Sequence, residues 1–177
     1  MKLKTKLSVL VLLTLILTLM SGCQPKTPEI PLQDILDAVK EEMGDDYIPS
    51  RPLDAEAIEN ITGIKPELVK EFLAEGPMMS MHVDTFMAFR AEAGKGDDIA
   101  EALSAYRKFL VEESMQYPMN LAKVQAAKVV QEGDYVFFLM LGAFDDTSED
   151  SQSKEAIEFA QKEVADVEKV IEEFFKS

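Results

Sequence analysis

Lys128-Val129-Val130-Gln131-Glu132-Gly133-Asp134-Tyr135-Val136-Phe137-Phe138-Leu139-Met140-Leu141, residues 128–141, decides the fold class. Glu132-Gly133-Asp134 is a tight-turn signal between two stretches rich in β-branched and aromatic side chains, which reads as a hairpin. Its first strand is expected over about residues 123–131 and its second over 134–142. From Phe137 to Leu141 every position is apolar. A strand covered on one face would alternate, so this one is expected to be central and covered on both.

Helical spacing surrounds the hairpin. Ile157, Ala160, Val164, Val167, Ile171 and Phe174 fall at alternating steps of three and four, a stripe that fits a last helix packed on the sheet. Residues 145–153 ahead of it read as a polar loop. Ile99, Leu103, Tyr106 and Leu110 form another stripe, which ends before Tyr117-Pro118. Asp98 with Glu101 has the spacing of a capping box at its start.

Leu32, Ile35, Leu36, Val39 and Met43 make a first helix ending near Gly44. Asp54 can cap a short second one through Ile61, stopped by Gly63. Pro66 and Glu67 suit the opening turn of a further helix that Gly76 would end. Residues 78–91 change period. Met79, Met81, Val83, Met87 and Phe89 alternate with Ser80, His82, Asp84, Phe86 and Arg90, as in a strand with one buried face. The expectation is an α+β domain over 32–177, with N-terminal helices and a small antiparallel sheet of about three strands packed with helices.

The N-terminal end is of another kind. Lys2, Lys4 and Lys6 precede the run Leu7–Met20, apolar apart from Ser8, Thr14 and Thr18. Fourteen residues reach roughly 21 Å as a helix, short of the about 20 apolar residues a membrane span requires. Charge, length and a small-residue end are those of a secretory signal. Met20-Ser21-Gly22-Cys23 resembles the bacterial lipobox, with Met20 in place of the usual leucine. The resemblance implies a signal peptide over 1–22, cleavage before Cys23 and a diacylglyceryl thioether on its sulfur. A plain signal followed by a chance cysteine, and an uncleaved anchor, are the alternatives. Cys23 is the only cysteine, so no internal disulfide competes for it. Acylation by two chains would hold the protein on the membrane stably. Residues 23–31 carry Pro25, Pro28 and Pro31 and read as a lipidated, semi-rigid tether.

Charge narrows the partners. The formal charge is −15, and loss of Lys2, Lys4 and Lys6 with the signal makes it −18. Such a body repels nucleic-acid backbones and anionic lipid headgroups. No nucleic-acid partner is expected. The expected contacts are the membrane, through the lipid on Cys23, and an envelope protein.

Further residues resemble a known family. Gly63-Ile64-Lys65-Pro66-Glu67-Leu68-Val69, Gly76-Pro77-Met78-Met79, Gly94-Lys95 and Lys128–Val136 are similar to those of small lipoproteins of low-GC Gram-positive bacteria, the family called domain of unknown function 4358. The similarity spans roughly residues 32–175. It implies a small α+β domain on the extracytoplasmic face of the cell membrane. It implies no activity and supplies no catalytic residue.

Four constellations carry residue types used in chemistry. Ser80, His82 and Asp84 are those of a hydrolase triad, but residues two apart on a strand lie about 6.5–7 Å apart, too far for hydrogen bonds of about 2.6–3.2 Å. Met78, Met79, Met81 and His82 mix thioethers with imidazole, ligands suited to Cu(I). Strand alternation would split them, with Met79 and Met81 in the core as filler. Asp145-Asp146-Thr147-Ser148-Glu149-Asp150 offers oxygen ligands for Ca²⁺ without the glycine and glutamate of an EF-hand. Gly94-Lys95-Gly96-Asp97-Asp98 lacks Walker spacing and reads as a turn and cap. No cofactor and no metal ligand is assigned. The reading is a non-catalytic binding or accessory lipoprotein, with a small-ligand or metal-ion (Cu or Ca) carrier as the alternative.

Overall fold

The computed structural model describes residues 29–146, 148 and 150–176. The segment expected to be a signal peptide, Cys23, Thr147 and Glu149 lie outside them.

Strand β5, Tyr135–Met140, is buried at every position. Val136, Phe138 and Met140 enter one apolar cluster, and Tyr135, Phe137 and Leu139 the other. Both faces are therefore covered, as the unbroken apolar run requires. Its neighbours are β4, Lys128–Glu132, and β3, Thr85–Ala91, both antiparallel. The sheet continues through β2, Val69–Gly76, to β1, Arg51–Pro52, in the order β1-β2-β3-β5-β4. Five strands stand where about three were expected.

Helices lie on both faces. On one side α1, Leu32–Met43, and α5, Lys154–Glu173, bury Ile35, Val39, Val164, Val167 and Ile171 against Phe86, Phe137 and Leu139. On the other side α2, Ala55–Thr62, and α3, Gly96–Glu112, bury Ile58, Ile99 and Leu103 against Met87, Phe89 and Phe138. Each fully buried side chain of this kind contributes about 1.5–3 kcal/mol. Asp54 caps α2 by accepting from Ala57 N at 2.8 Å, and Ser153 caps α5 by accepting from Ala156 N at 3.1 Å. Helix α3 starts at Gly96, so Asp98 is not its cap; it sits in the first turn and pairs with Lys95 at 3.0 Å. At Gly96 a Cβ would meet the carbonyl oxygen of Gly133 at 2.4 Å, and only glycine lets the helix approach the hairpin so closely.

Three segments depart from expectation. Residues 66–68 form one 3₁₀ turn, and 69–76 are strand, not helix. A β-bulge between Val69 and Glu71 is the reason: Val69 pairs with Ala91 and Glu71 with Arg90, so Lys70 is the extra residue. The bulge puts Val69 and Phe72 on the same face at a spacing of three, which imitates helical periodicity. The second departure is at 78–84, which is turn and loop; the strand begins only at Thr85. The third is Leu121–Ala126, a short helix α4 where the first hairpin strand was expected to begin.

Candidate functional site

The sheet has two contrasting ends. At one, Arg90 pairs with Tyr135, and the chain enters the domain. Ile30 is buried there. Its N–H donates to the Tyr135 hydroxyl at 2.9 Å, and that hydroxyl donates to the Ile30 carbonyl at 3.0 Å. Glu29 lies 3.6 Å from Lys70 and 3.8 Å from Arg90. Residues 30 and 31 thus belong to the folded body, which begins next to the hairpin turn.

At the other end Thr85 pairs with Met140. Seven strand residues at about 3.3 Å each put it roughly 20 Å away. Three loops meet here: 77–84, 113–120 and 141–153. Asp84 and Lys123 hold them from inside. Both are buried, and Lys123 Nζ donates to Asp84 Oδ1 at 2.7 Å. The ammonium also sits 3.9 Å from the centroid of the Phe144 ring, a cation–π contact. Buried Asn120 donates through Nδ2 to the Met81 carbonyl at 2.9 Å. His82 lies against Phe144, with centroids 5.5 Å apart. Asp84 Oδ2, Asn120 Oδ1 and His82 Nδ1 are buried without a protein partner. A loop that contributes such groups is held by the paired ones, since a buried charge left alone costs several kcal/mol.

Above this polar base the surface is apolar. Among the described residues the exposed large hydrophobic side chains are Ile61 and those of two segments, 78–81 and 109–119. Met78 is 76% exposed, Met79 56%, Met81 45% and Met115 99%, and Tyr117 and Met119 are exposed as well. The expected burial of Met79 and Met81 fails because the residues are in a turn, where His82 N donates to the Met79 carbonyl at 3.1 Å. Met87 and Met140, by contrast, fill the core.

The triad types Ser80, His82 and Asp84 share no strand face. Ser80 is exposed, and Asp84 is engaged with Lys123. In the acidic loop Asp145 Oδ1 accepts from Ser148 N at 3.2 Å, and Asp150 Oδ1 from Gln152 N at 2.9 Å. Among the described residues no three His, Cys, Asp or Glu side chains are grouped to hold a metal ion. At the other end, Gly94 N donates to the Asp134 carboxylate at 3.0 Å, which fixes the 94–98 turn internally. No helix among the described residues is long and apolar enough to cross a membrane.

A groove of about 330 Å³ lies beside the β-bulge, lined by Ile58, Ile64, Pro66, Val69 and Phe72. Its charged lining residues, Lys70 and Glu71, are exposed, so it offers apolar shelter without a buried polar group to orient a ligand.

Lys123, Asn120 and Phe144 were invisible as site residues. Lys123 is 39 positions from Asp84, and nothing in either neighbourhood announces the pairing. A signal did exist for Met115, Tyr117 and Met119: large apolar side chains crowd a stretch that Pro118 marks as non-helical.

Together these features define a three-layer α+β domain with a docked N-terminus at one end of its sheet and an apolar loop surface at the other. Residues 42–141 match the family described as Domain of unknown function (DUF4358), and the chain belongs to that family. The match runs from the end of α1 to the end of the sheet, and α5 lies outside it. Comparison with curated proteins and with solved structures gives no match.

Proposed function

We propose that the chain is a lipoprotein of the Gram-positive cell envelope, anchored by Cys23 on the extracytoplasmic face of the membrane, and that it works as a non-catalytic binding or accessory module. The observation that carries this reading is the division of labour between the ends of the sheet. The polypeptide arrives at the Tyr135 end, while eight of the nine exposed large hydrophobics among the described residues gather in segments at the opposite end. A tether entering at one end presents the other to whatever lies beyond the membrane. Five residues, 24–28, separate Cys23 from Glu29, and the six steps between them reach at most about 22 Å. The body would therefore be held close to the bilayer, with the apolar loops facing away. Ser80, His82 and Asp84 do not converge, which supports binding over catalysis.

The test is acylation. Wild-type protein is expected to take up a fatty-acid analogue and fractionate with membranes, and Cys23→Ala to lose both. Labelling that persists in Cys23→Ala would sink the lipoprotein reading.

The exposure of Met78, Met79 and Met81 favours a second reading. Buried thioethers could not serve a metal, whereas these three are open to solvent within four residues of sequence, beside His82. A Cu(I) carrier would use them. Saturable Cu(I) under reducing conditions should then raise the unfolding temperature by several degrees, and the absence of any shift removes this reading.

A further inference from the structure

The apolar end has a charge as well as a shape. The segments that build it, 77–84, 109–120 and 141–153, contain no lysine or arginine. Their acidic residues are Asp84, which is buried, and Glu112, Glu113, Asp145, Asp146, Glu149 and Asp150. Five cations adjoin. Lys108 pairs with Glu112 at 3.8 Å, and Arg107 donates to the carbonyls of Ala127 and Gln125. Lys123 is buried and paired with Asp84. Lys154 pairs with Glu158 at 2.8 Å, and Arg51 donates through Nε to the Pro77 carbonyl at 3.4 Å. With Glu112 paired, the exposed acids Glu113, Asp146 and Asp150 face two adjoining cations bound to backbone carbonyls instead of carboxylates, Arg51 and Arg107, so the balance is acidic.

Methionines make such a surface adaptable. Each has three rotatable bonds and a polarizable sulfur, so a group of exposed methionines can mould to an apolar partner. Beneath them the Asp84–Lys123 pair and the Asn120 clamp on Met81 keep the backbone in place. Mobile thioethers on a fixed base, rimmed by carboxylates, complement an apolar helix face flanked by lysine or arginine. A bare fatty chain would leave the carboxylates unused, and an acidic segment would be repelled.

We infer that the loop end around Met78–Met81 and Met115–Met119 docks a cationic amphipathic segment of a partner protein. This inference rests on the tethered-module reading, because the tether is what turns this end outward.

The test uses the mature chain, residues 23–177 with Cys23→Ser so that no lipid is attached, and three synthetic peptides. One is an amphipathic Lys/Leu helix. The second has the same residues scrambled so that no apolar face forms. The third keeps the amphipathic pattern with Glu for Lys. With ¹³C-methyl methionine, the first peptide is expected to shift the signals of Met78, Met79, Met81, Met115 and Met119 and to leave Met87 and Met140 in place. It should bind at least about tenfold more tightly than the other two. Met79→Ser/Met81→Ser/Met119→Ser should weaken it by about tenfold, as loss of central apolar contacts does. Glu113→Gln/Asp146→Asn should weaken it severalfold, and more at low salt than at high salt. All five positions are exposed, so an unchanged unfolding temperature certifies each variant.

Equal binding of the helix and its scrambled form would overturn the inference, since charge alone would then be at work. So would binding that leaves the exposed methyls unshifted, or no binding at all. Its failure with Cys23 still acylated in cells leaves the lipoprotein reading standing. Unacylated Cys23 with peptide docking intact does the reverse.

Discussion

Tyr135 and Lys123 sit at opposite ends of the same sheet and fasten the chain in different ways. At the Tyr135 end a neutral hydroxyl grips one residue, Ile30, through both its N–H and its carbonyl. The aromatic ring rests on Phe175, 5.2 Å between centroids, so both termini of the folded body are secured together. At the Lys123 end a buried ion pair holds a loop whose outer side chains are in solvent. The difference shows how a fold can expose apolar side chains without losing the backbone under them. Dispersion and neutral hydrogen bonds suffice where the surface is closed. Where it is left open, a charged clamp substitutes for the missing burial.

The largest expected effect tests that clamp. Lys123→Met removes the ammonium and leaves the Asp84 carboxylate buried and unpaired. A loss of about 3–5 kcal/mol is expected in denaturant unfolding. The double change Asp84→Leu/Lys123→Met should recover most of it, because two apolar side chains replace two charges. If the double variant is as unstable as the single, the pair is not what holds the 77–84 loop, and the contrast between the ends fails.

Tyr135→Phe addresses the other end. It keeps the ring on Phe175 and removes the hydroxyl, leaving the buried Ile30 N–H and carbonyl without this partner. A loss of about 1–3 kcal/mol is expected. Hydrogen exchange should quicken at Ile30 while the Asn120–Lys123 region keeps its protection. Quickening at both ends alike would mean that they are one cooperative unit and that the comparison has no dynamic content.

The core was legible in sequence to the extent that one period describes one element. β5 was recognised as doubly covered because Phe137–Leu141 has no polar position, and α1, α2 and α5 follow from stripes and caps on the residues themselves. β2 was not, because Pro66, Glu67 and Gly76 suit the ends of a helix and the bulge at Lys70 breaks the alternation that would have marked a strand. The Met segment misled for the opposite reason: six residues of turn and loop, 79–84, happen to continue the alternation of β3. Neither pattern encodes its outer limit, since a loop has no period of its own. The candidate site was half legible. Met78, Met79, Met81 and His82 drew notice by type, but the core was the wrong environment for Met79 and Met81. Lys123 comes from a helix that reads as the start of a strand, and Asn120 from the 3₁₀ turn before it, so no local pattern could bring them to Asp84.

The smallest effect sharpens the comparison at its border. Ser153 ends the 141–153 loop and caps α5 by accepting from Ala156 N, so the helix that spans the distance between the two ends begins on the open one. Ser153→Ala should cost about 1 kcal/mol. The loss should appear as fraying of the first turn of α5, where Ala156 and Ile157 exchange faster. Val167 and Ile171, nearer the Tyr135 end, should be unaffected, because their protection comes from packing on Phe137 and Leu139. A uniform loss along the whole helix would show that α5 melts as a block. The open end would then depend on the closed one for its stability, and the Lys123 clamp would be an addition to that support instead of its substitute.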